Sequence, residues 1–188
     1  MIKAIDTVYN GLKFRSRMEA RWAVFFDKIG LKYEYEKEGY DIDGVWYLPD
    51  FWIPSLDMWF EVKGRDLLPE ERALYENFVI RSEKAFGILY NIPSEHSIMY
   101  GGSTEGLPEI YFTLLDGNGK KHCGYDIPYM FCECMYCGAI GFQFDGRSER
   151  INCCKENNGH KDFNGHSTRL LDVYDAARQA RFEHGEKP

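Results

Sequence analysis

The chain has 188 residues and a formal net charge of −7, and 44% of its residues are hydrophobic and 28% charged. This composition is globular and excludes a disordered chain, and no apolar run approaches the roughly 18 residues of a membrane span. The acidic balance argues weakly against a nucleic-acid partner, because phosphate binding needs lysine and arginine. Residues 11–23 are an exception, because this segment is basic. Its charged side chains are Lys13, Arg15, Arg17, Glu19 and Arg21.

The N-terminal residues 1–14 lack the apolar core of a signal peptide. We therefore expect a cytoplasmic protein that has no membrane partner. Thiols stay reduced in the cytoplasm, so the six cysteines suggest metal binding before disulfides.

The first half of the chain has patterns that alternate between helix and strand. The predicted elements are a helix over 15–30, strands over 31–40, 45–53 and 57–64, a helix over 68–83 and a strand over 84–93. Ser16 is a candidate N-cap of the first helix and Gly30 its stop, and Pro69 marks the first turn of the second helix. The order αβββαβ predicts an α/β protein with a mixed sheet flanked by helices.

The second half of the chain is less regular. Residues 94–109 are rich in turn formers and predict a connector, and residues 110–127 predict a hairpin around an Asp-Gly-Asn-Gly turn. A helix capped by Ser167 or Thr168 closes the chain. The expected units are a core over residues 1–95, a connector and hairpin over 96–128, and a small C-terminal module with a terminal helix over 129–188.

The hairpin formed by 45–53 and 57–64 carries charges that need an explanation. If it is symmetric about the Ser55–Leu56 bond, one apolar face pairs Phe51 with Phe60 and Ile53 with Met58, and adds Val62. The other face pairs Trp52 with Trp59 and Asp50 with Glu61, with Lys63 two residues beyond Glu61. Directly opposed carboxylates repel each other, whereas Mg²⁺ binds one or two carboxylates together with water and phosphate. The alternative is a hairpin with one solvated face.

These residues resemble a known signature. Pro49-Asp50, followed after ten residues by Glu61-Val62-Lys63, is similar to the motif of the PD-(D/E)XK nuclease superfamily. The resemblance covers about residues 10 to 92, and is strongest to the branch of very-short-patch repair endonucleases, transposon end-cleaving nucleases and resolvase-like proteins. It implies a restriction-endonuclease-like core over residues 1–95, of a kind also found in phage-type proteins.

The resemblance also implies roles for single residues. Asp50 and Glu61 would hold a catalytic Mg²⁺ or Mn²⁺, Lys63 would position the attacking water, and Glu19 would complete the metal site. Ser16 and Glu19 also match a capping box, in which the glutamate simply bonds the start of the helix. Arg15 and Arg17 would bind the nucleic-acid backbone, and their alternative is a solvated helix start.

The cysteines predict a structural zinc site in the 129–188 module. Cys134 and Cys137 have zinc-knuckle spacing, and further thiolate and imidazole residues follow. The expected ligands are Cys134, Cys137, Cys154 and His160, with Cys153 or Cys132 as competitors. Cys123 is expected to be a small buried residue, and the alternative for the whole set is a group of buried thiols. The zinc would cross-link and so stabilise a module that lacks a core of its own.

The sequence therefore predicts a metal-dependent DNA endonuclease that hydrolyses phosphodiester bonds with a metal-activated water. The alternatives are a structure-selective resolvase or nickase, a non-cleaving nucleic-acid-binding or inhibitor protein on the same fold, and a purely structural zinc protein. DNA is the expected partner. A single core of this size does not easily flank a duplex, so double-strand cutting predicts a homodimer or a partner protein.

Overall fold

The structure is a computed structural model, and it describes residues 4–94, 114–115, 121–122, 130–144, 147–151 and 163–182. Within these ranges the chain is a mixed α/β protein with three helices and several sheets. The helices are α1 (Arg17–Ile29), α2 (Pro69–Ser82) and α3 (Thr168–Gln179). None of these helices combines the length and the apolar character that a membrane crossing requires.

The strands are short and fall into two groups along the chain. Those of the first half are β1 (Thr7–Tyr9), β2 (Leu12–Phe14), β3 (Glu34–Tyr35), β4 (Tyr40–Ile42), β5 (Val45–Tyr47), β6 (Phe51–Ile53), β7 (Met58–Lys63) and β8 (Ala85–Tyr90). Those of the second half are β9 (Leu114–Leu115), β10 (Lys121–His122), β11 (Met130–Cys134), β12 (Ile140–Phe144), β13 (Arg147–Ile151) and β14 (Phe163–Asn164).

A four-stranded sheet in the order β3-β6-β7-β8 forms the centre of the first half. Its first three strands are antiparallel neighbours, and β8 runs parallel to β7 because α2 carries the chain back across the sheet. The β6–β7 hairpin has Phe51 opposite Phe60 and Ile53 opposite Met58, which confirms the predicted register. The predicted order αβββαβ is therefore present, with the β4–β5 hairpin inserted between β3 and β6.

The first and last helices begin where the sequence predicts. The Ser16 hydroxyl accepts a hydrogen bond from the Glu19 backbone N–H at 3.2 Å, and α1 ends at Gly30, whose φ of 80° is left-handed. The side chain of Ser167 caps α3, which decides between Ser167 and Thr168. Local capping chemistry thus sets these helix boundaries.

α1 lies between the central sheet and the C-terminal elements. Buried residues cover most of the circumference of this helix, and Arg17, Arg21 and Lys28 form its narrow polar side. Phe26 packs on Phe51 of the sheet at 5.3 Å between ring centroids, and on its other side Phe25 stacks on Tyr174 of α3 at 4.4 Å. Phe131 of β11 lies 5.1 Å from Phe25. The described part of the 129–188 module therefore shares one hydrophobic core with the central sheet.

Both faces of the β6–β7 hairpin are buried, which corrects the expectation of a half-buried strand pair with an apolar face and a more polar one. Residues 51–53 and 58–62 are all buried. The reason is that α2 and the β4–β5 hairpin cover the second face, where Phe78 lies 6.4 Å from Trp59 and 5.1 Å from Tyr47 between ring centroids. The charges of this hairpin are thus interior charges.

Two predicted strands are broken by backbone features. The strand expected over 31–40 is limited to β3, because Glu36 adopts a left-handed φ of 46°. The strand expected over 45–53 is divided into β5, which pairs with β4, and β6, which joins the central sheet. The break contains Pro49, whose nitrogen cannot donate to a strand ladder.

The sequence interpretation missed the β1–β2 hairpin before α1. Its turn is Asn10-Gly11, with φ values of 47° and 81°, and this dipeptide is a strong signal for a two-residue hairpin turn. The hairpin leads directly into Arg15 and the start of α1.

The second half contains a four-stranded antiparallel sheet in the order β13-β12-β11-β14. β9 pairs antiparallel with β10, which agrees with the hairpin predicted over 110–127. Apart from Ser94, the predicted connector 94–109 lies outside the described residues.

Candidate active site

The structure gathers most of the predicted site residues around the N-terminus of α1 and the β6–β7 hairpin. The carboxylates of Asp50 and Glu61 are buried, with exposed fractions of 1% and 6%. Buried carboxylates are costly unless hydrogen bonds and opposite charges compensate them. The partners of each carboxylate therefore decide what the site can do.

Asp50 is held from two sides. Its Oδ2 accepts a hydrogen bond from the Val62 backbone N–H at 2.7 Å, and its Oδ1 forms an ion pair with the Arg15 guanidinium. Burial, followed by the negative charges of Glu61 and Glu19, raises the pKa of Asp50 well above its ordinary value, and Arg15 and the Val62 N–H offset only part of this. Repulsion between nearby carboxylates is thus present at this site.

Glu61 is surrounded by hydroxyl and ammonium donors. Tyr47 donates to Oε2 at 2.9 Å, while Oε1 accepts from Tyr75 at 3.2 Å and lies 3.0 Å from the Lys63 Nζ. Burial and the Glu61 charge raise the pKa values of Tyr47 and Tyr75. Both phenols therefore stay protonated and hold the carboxylate in one orientation.

Lys63 lies between two carboxylates. Its Nζ is 3.0 Å from Glu61 and 3.2 Å from Glu71, and it lies 5.5 Å from the centroid of the Tyr75 ring. Burial lowers the pKa of Lys63, but the two carboxylates outweigh burial and the net shift is upward. Lys63 is thus an ammonium at neutral pH, which suits hydrogen-bond donation and charge stabilisation better than proton abstraction.

Glu71 belongs to this network although the sequence interpretation gave it no role. Arg65 forms two hydrogen bonds with its carboxylate at 2.7 and 3.0 Å, and the Leu68 backbone N–H donates to it at 2.9 Å. Burial raises the pKa of Glu71, but these donors and Lys63 outweigh it and lower the pKa to about 2. Glu71 is therefore ionised at neutral pH, and its carboxylate lies 3.2 Å from the Lys63 Nζ.

Glu19 caps α1, which was the alternative to its metal role. Its Oε1 accepts from the Ser16 hydroxyl at 2.7 Å, and its Oε2 accepts from the Tyr35 hydroxyl at 2.6 Å and the Arg15 backbone N–H at 3.0 Å. In a capping box the glutamate accepts from the backbone N–H of the N-cap residue. Here Glu19 accepts instead from the N–H of Arg15, the residue before the N-cap Ser16. A metal role for Glu19 stays a prediction.

The two arginines occupy different positions. Arg15 is half exposed, and besides Asp50 its Nε lies 2.8 Å from Glu36, so it is directed at carboxylates and not simply at solvent. Arg17 is the first residue of α1 and is partly buried. Their contact with a nucleic-acid backbone stays a prediction.

The carboxylates are suited to a hard cation with two protein ligands. Among the residues described, no group of three or more His, Cys, Asp or Glu side chains is arranged to hold a metal ion. Asp50 and Glu61 nevertheless provide two neighbouring carboxylates whose repulsion a cation would relieve, and Mg²⁺ is commonly held by one or two carboxylates with water and phosphate. The donor set of Asp50 and Glu61 therefore fits Mg²⁺ or Mn²⁺ as a two-carboxylate site.

The first half of the predicted zinc site lies in a tight turn. Cys134 ends β11, its C=O accepts from the Gly138 N–H at 2.8 Å, and Gly138 has a left-handed φ of 70°. Cys132 and Cys134 are buried and Cys137 is exposed. The other cysteines and the proposed histidine ligand lie outside the described residues. These are Cys123, Cys153, Cys154 and His160.

Several contact residues were missed because their roles depend on tertiary contacts. Tyr35 was given no role in the site from the sequence, yet its hydroxyl donates a hydrogen bond to Glu19. Tyr75 follows Glu71 by four residues on α2, so both lie on the face toward Lys63, and this helical spacing was the available signal. Tyr47 and Glu36 gave no comparable signal.

Comparison of the chain with protein-family models, with curated proteins and with solved structures gave no match. The resemblance to PD-(D/E)XK nucleases therefore rests on the residues of this chain alone. Function has to be argued from the chemistry of the site.

Proposed function

We propose that the chain is a Mg²⁺- or Mn²⁺-dependent DNA endonuclease that hydrolyses phosphodiester bonds with a metal-activated water. The observation that carries this proposal is the pair of buried carboxylates, Asp50 and Glu61, with the Lys63 ammonium 3.0 Å from Glu61. A core with only a packing role has no reason to place two repelling carboxylates inside a hairpin of aromatic residues.

Each side chain has a distinct part in this proposal. The bound cation would activate the attacking water and stabilise charge on the phosphate. Asp50 and Glu61 would hold it, and the Val62 N–H and Tyr47 hydroxyl keep the two carboxylates oriented. Lys63 stays protonated and donates hydrogen bonds to the water and to the negative charge that develops on the phosphate.

The element order supports a restriction-endonuclease-like core. The resemblance implies a helix with an acid before the motif and a helix and a strand after it, and α1, α2 and β8 occupy these places. DNA as the substrate is supported by the basic segment 11–23, which leads into the site through Arg15. A homodimer or a partner protein remains part of the proposal for double-strand cutting.

A structure-selective resolvase or nickase would use the same residues, and the DNA form that is cut separates it from other endonucleases. A non-cleaving nucleic-acid-binding or inhibitor protein on the same fold is the second candidate. It is favoured by one observation: Glu19 is engaged in the helix cap, and in the described part of the chain no group of three or more His, Cys, Asp or Glu side chains is arranged to hold a metal ion.

The zinc site is also part of the proposal. The turn from Cys134 to Gly138 presents two cysteines of knuckle spacing, and a tetrahedral Zn²⁺ would take its remaining ligands from Cys154 and His160, with Cys153 or Cys132 as competitors. Since the described part of the module packs on α1, zinc would act on stability and not on the chemistry.

The proposal is tested by incubating the protein with supercoiled, linear, single-stranded and branched DNA, with and without Mg²⁺ or Mn²⁺. We expect metal-dependent cleavage of at least one form, lost in Lys63→Ala and retained in the control Lys84→Ala, whose ammonium pairs with the exposed Asp57. Metal-independent binding without cleavage of any form would favour the non-cleaving candidate.

A further inference from the structure

The Arg15 guanidinium bridges two carboxylates that lie next to the ends of different strands. Its Nη2 pairs with Asp50, which precedes β6, and its Nε lies 2.8 Å from Glu36, which follows β3. Asp50 is buried, while about half of the Arg15 side chain is exposed. The positive charge that compensates Asp50 therefore comes from a partly exposed side chain, which can change its conformation without disturbing the core.

Glu36 is fixed more firmly than its position in a turn suggests. Its backbone N–H donates to the Asp50 C=O at 2.8 Å, and its φ of 46° is a left-handed conformation that a residue with a Cβ adopts only when its surroundings hold it there. The Glu36 backbone thus has a defined place beside that of Asp50, and the Arg15 guanidinium pairs with both carboxylates.

We propose that Arg15 is an internal counter-ion of Asp50 that a divalent cation displaces, and that Glu36 is the positioning residue that retains Arg15 at the site after displacement. This inference rests on the proposed function, because it assumes that Asp50 binds a cation. A cation and the Arg15 guanidinium compete for Asp50 Oδ1, because Oδ2 already accepts from the Val62 backbone N–H. Once displaced, Arg15 keeps its Nε contact with Glu36, and its Nη groups become available to the substrate phosphate, to which arginine binds well.

The competition is measured without DNA, by titrating the full chain with Mn²⁺ and following the EPR signal of the free ion. Wild type should bind one Mn²⁺ that Asp50→Asn does not bind. Arg15→Gln should bind it roughly tenfold more tightly, because a charge-assisted hydrogen bond no longer competes. If Arg15→Gln is destabilised in the absence of metal, its melting temperature should rise more on Mn²⁺ addition than that of wild type, because the tighter ligand stabilises the folded state more.

The role of Glu36 is read from the NMR signal of the Arg15 Nε–H, which is assigned by its absence in Arg15→Gln. In wild type this proton should stay protected from exchange in saturating Mg²⁺, because Glu36 still accepts it. In Glu36→Ala the Nε–H has lost its acceptor, so this protection should be absent both without and with saturating Mg²⁺. Glu34→Ala is the matched control, since Glu34 lies two residues before Glu36 and pairs with Lys37, and it should behave as wild type.

The outcomes separate this inference from the proposed function. Equal or weaker Mn²⁺ binding by Arg15→Gln, with normal binding by wild type, overturns the displacement of Arg15 alone. Protection of the Nε–H in Mg²⁺-saturated Glu36→Ala overturns the role of Glu36. If neither wild type nor Arg15→Gln binds Mn²⁺ through Asp50, the proposed function and the inference both fail.

Discussion

The carboxylate of Asp50 accepts a hydrogen bond from the backbone N–H of Val62 at 2.7 Å. This contact joins the two halves of the motif, because Val62 lies between Glu61 and Lys63 on β7. A backbone donor cannot be removed by changing a side chain, so it orients Asp50 as long as the hairpin keeps its register. The pairing of β6 with β7 therefore fixes the position of Asp50 relative to Glu61 and Lys63.

The cap of α1 gives the first prediction. Glu19→Gln replaces two accepting carboxylate oxygens by one amide oxygen and one NH₂ group, so the hydrogen bonds from Ser16, Tyr35 and the Arg15 N–H are not all kept. The free energy of unfolding should therefore fall by about 1 kcal/mol. For a chain of this size such a loss lowers the melting temperature by about 2–4 °C. Thermal unfolding of Glu19→Gln and of the control Glu34→Gln, whose side chain is about half exposed, measures the effect. Lost cleavage with an unchanged melting temperature would instead assign Glu19 to the metal.

How far the sequence predicts the structure depends on the range of the interactions. Ser16 and Gly30 bound α1 correctly, and Phe51 faces Phe60 as the hairpin symmetry requires, because capping and alternation are local. The burial of the second hairpin face was not predictable in this way. It depends on α2, which packs there through Phe78.

The candidate site shows the same limit. Asp50, Glu61 and Lys63 could be named from the motif, and the structure places them near one another. Their partners could not be named, since the Arg15–Asp50 pair spans 35 positions and depends on how α1 meets the sheet. The capping alternative for Glu19 was visible in the sequence, and the observed contacts favour it.

The hydroxyl of Tyr47 gives the second prediction. Tyr47→Phe leaves a buried oxygen of Glu61 without its donor, which should cost about 1–3 kcal/mol of stability, and Mn²⁺ affinity should fall because the carboxylate is less well oriented. The matched control is Tyr40→Phe on the same hairpin, because the Tyr40 hydroxyl bonds the exposed Glu38. That change should cost no more than about 0.5 kcal/mol. Urea unfolding and Mn²⁺ titration check both effects, and equal behaviour of the two variants contradicts the prediction.

The third prediction concerns the acid stability that Glu71 contributes. Its pKa is about 2 in the folded chain and 4.5 ordinarily, so its contribution to stability is complete above pH 4.5 and is lost as the pH falls toward 2. The difference in melting temperature between wild type and Glu71→Gln should therefore shrink over this range. Glu70→Gln, on the same exposed first turn of α2, serves as the control. A difference that does not change between pH 5 and pH 3 contradicts the prediction.

The fourth prediction concerns zinc. Protein purified without added metal should contain about one Zn²⁺ per chain, bound by four ligands. Cys134→Ser should lower the melting temperature more than Cys123→Ser, because Cys134 lies in the turn that is expected to hold the ion. Metal analysis and thermal unfolding check this, and a zinc-free protein with a normal melting curve contradicts it.

The central claim is that Asp50 holds the cation while Lys63 acts on the water and the phosphate. The most direct measurement combines plasmid cleavage in Mg²⁺ with Mn²⁺ titration for wild type, Asp50→Asn and Lys63→Ala. The account predicts that both variants are inactive, that Asp50→Asn loses the bound Mn²⁺, and that Lys63→Ala still binds it. Cleavage by Lys63→Ala at the wild-type rate, or Mn²⁺ binding by Asp50→Asn with unchanged affinity, would contradict it.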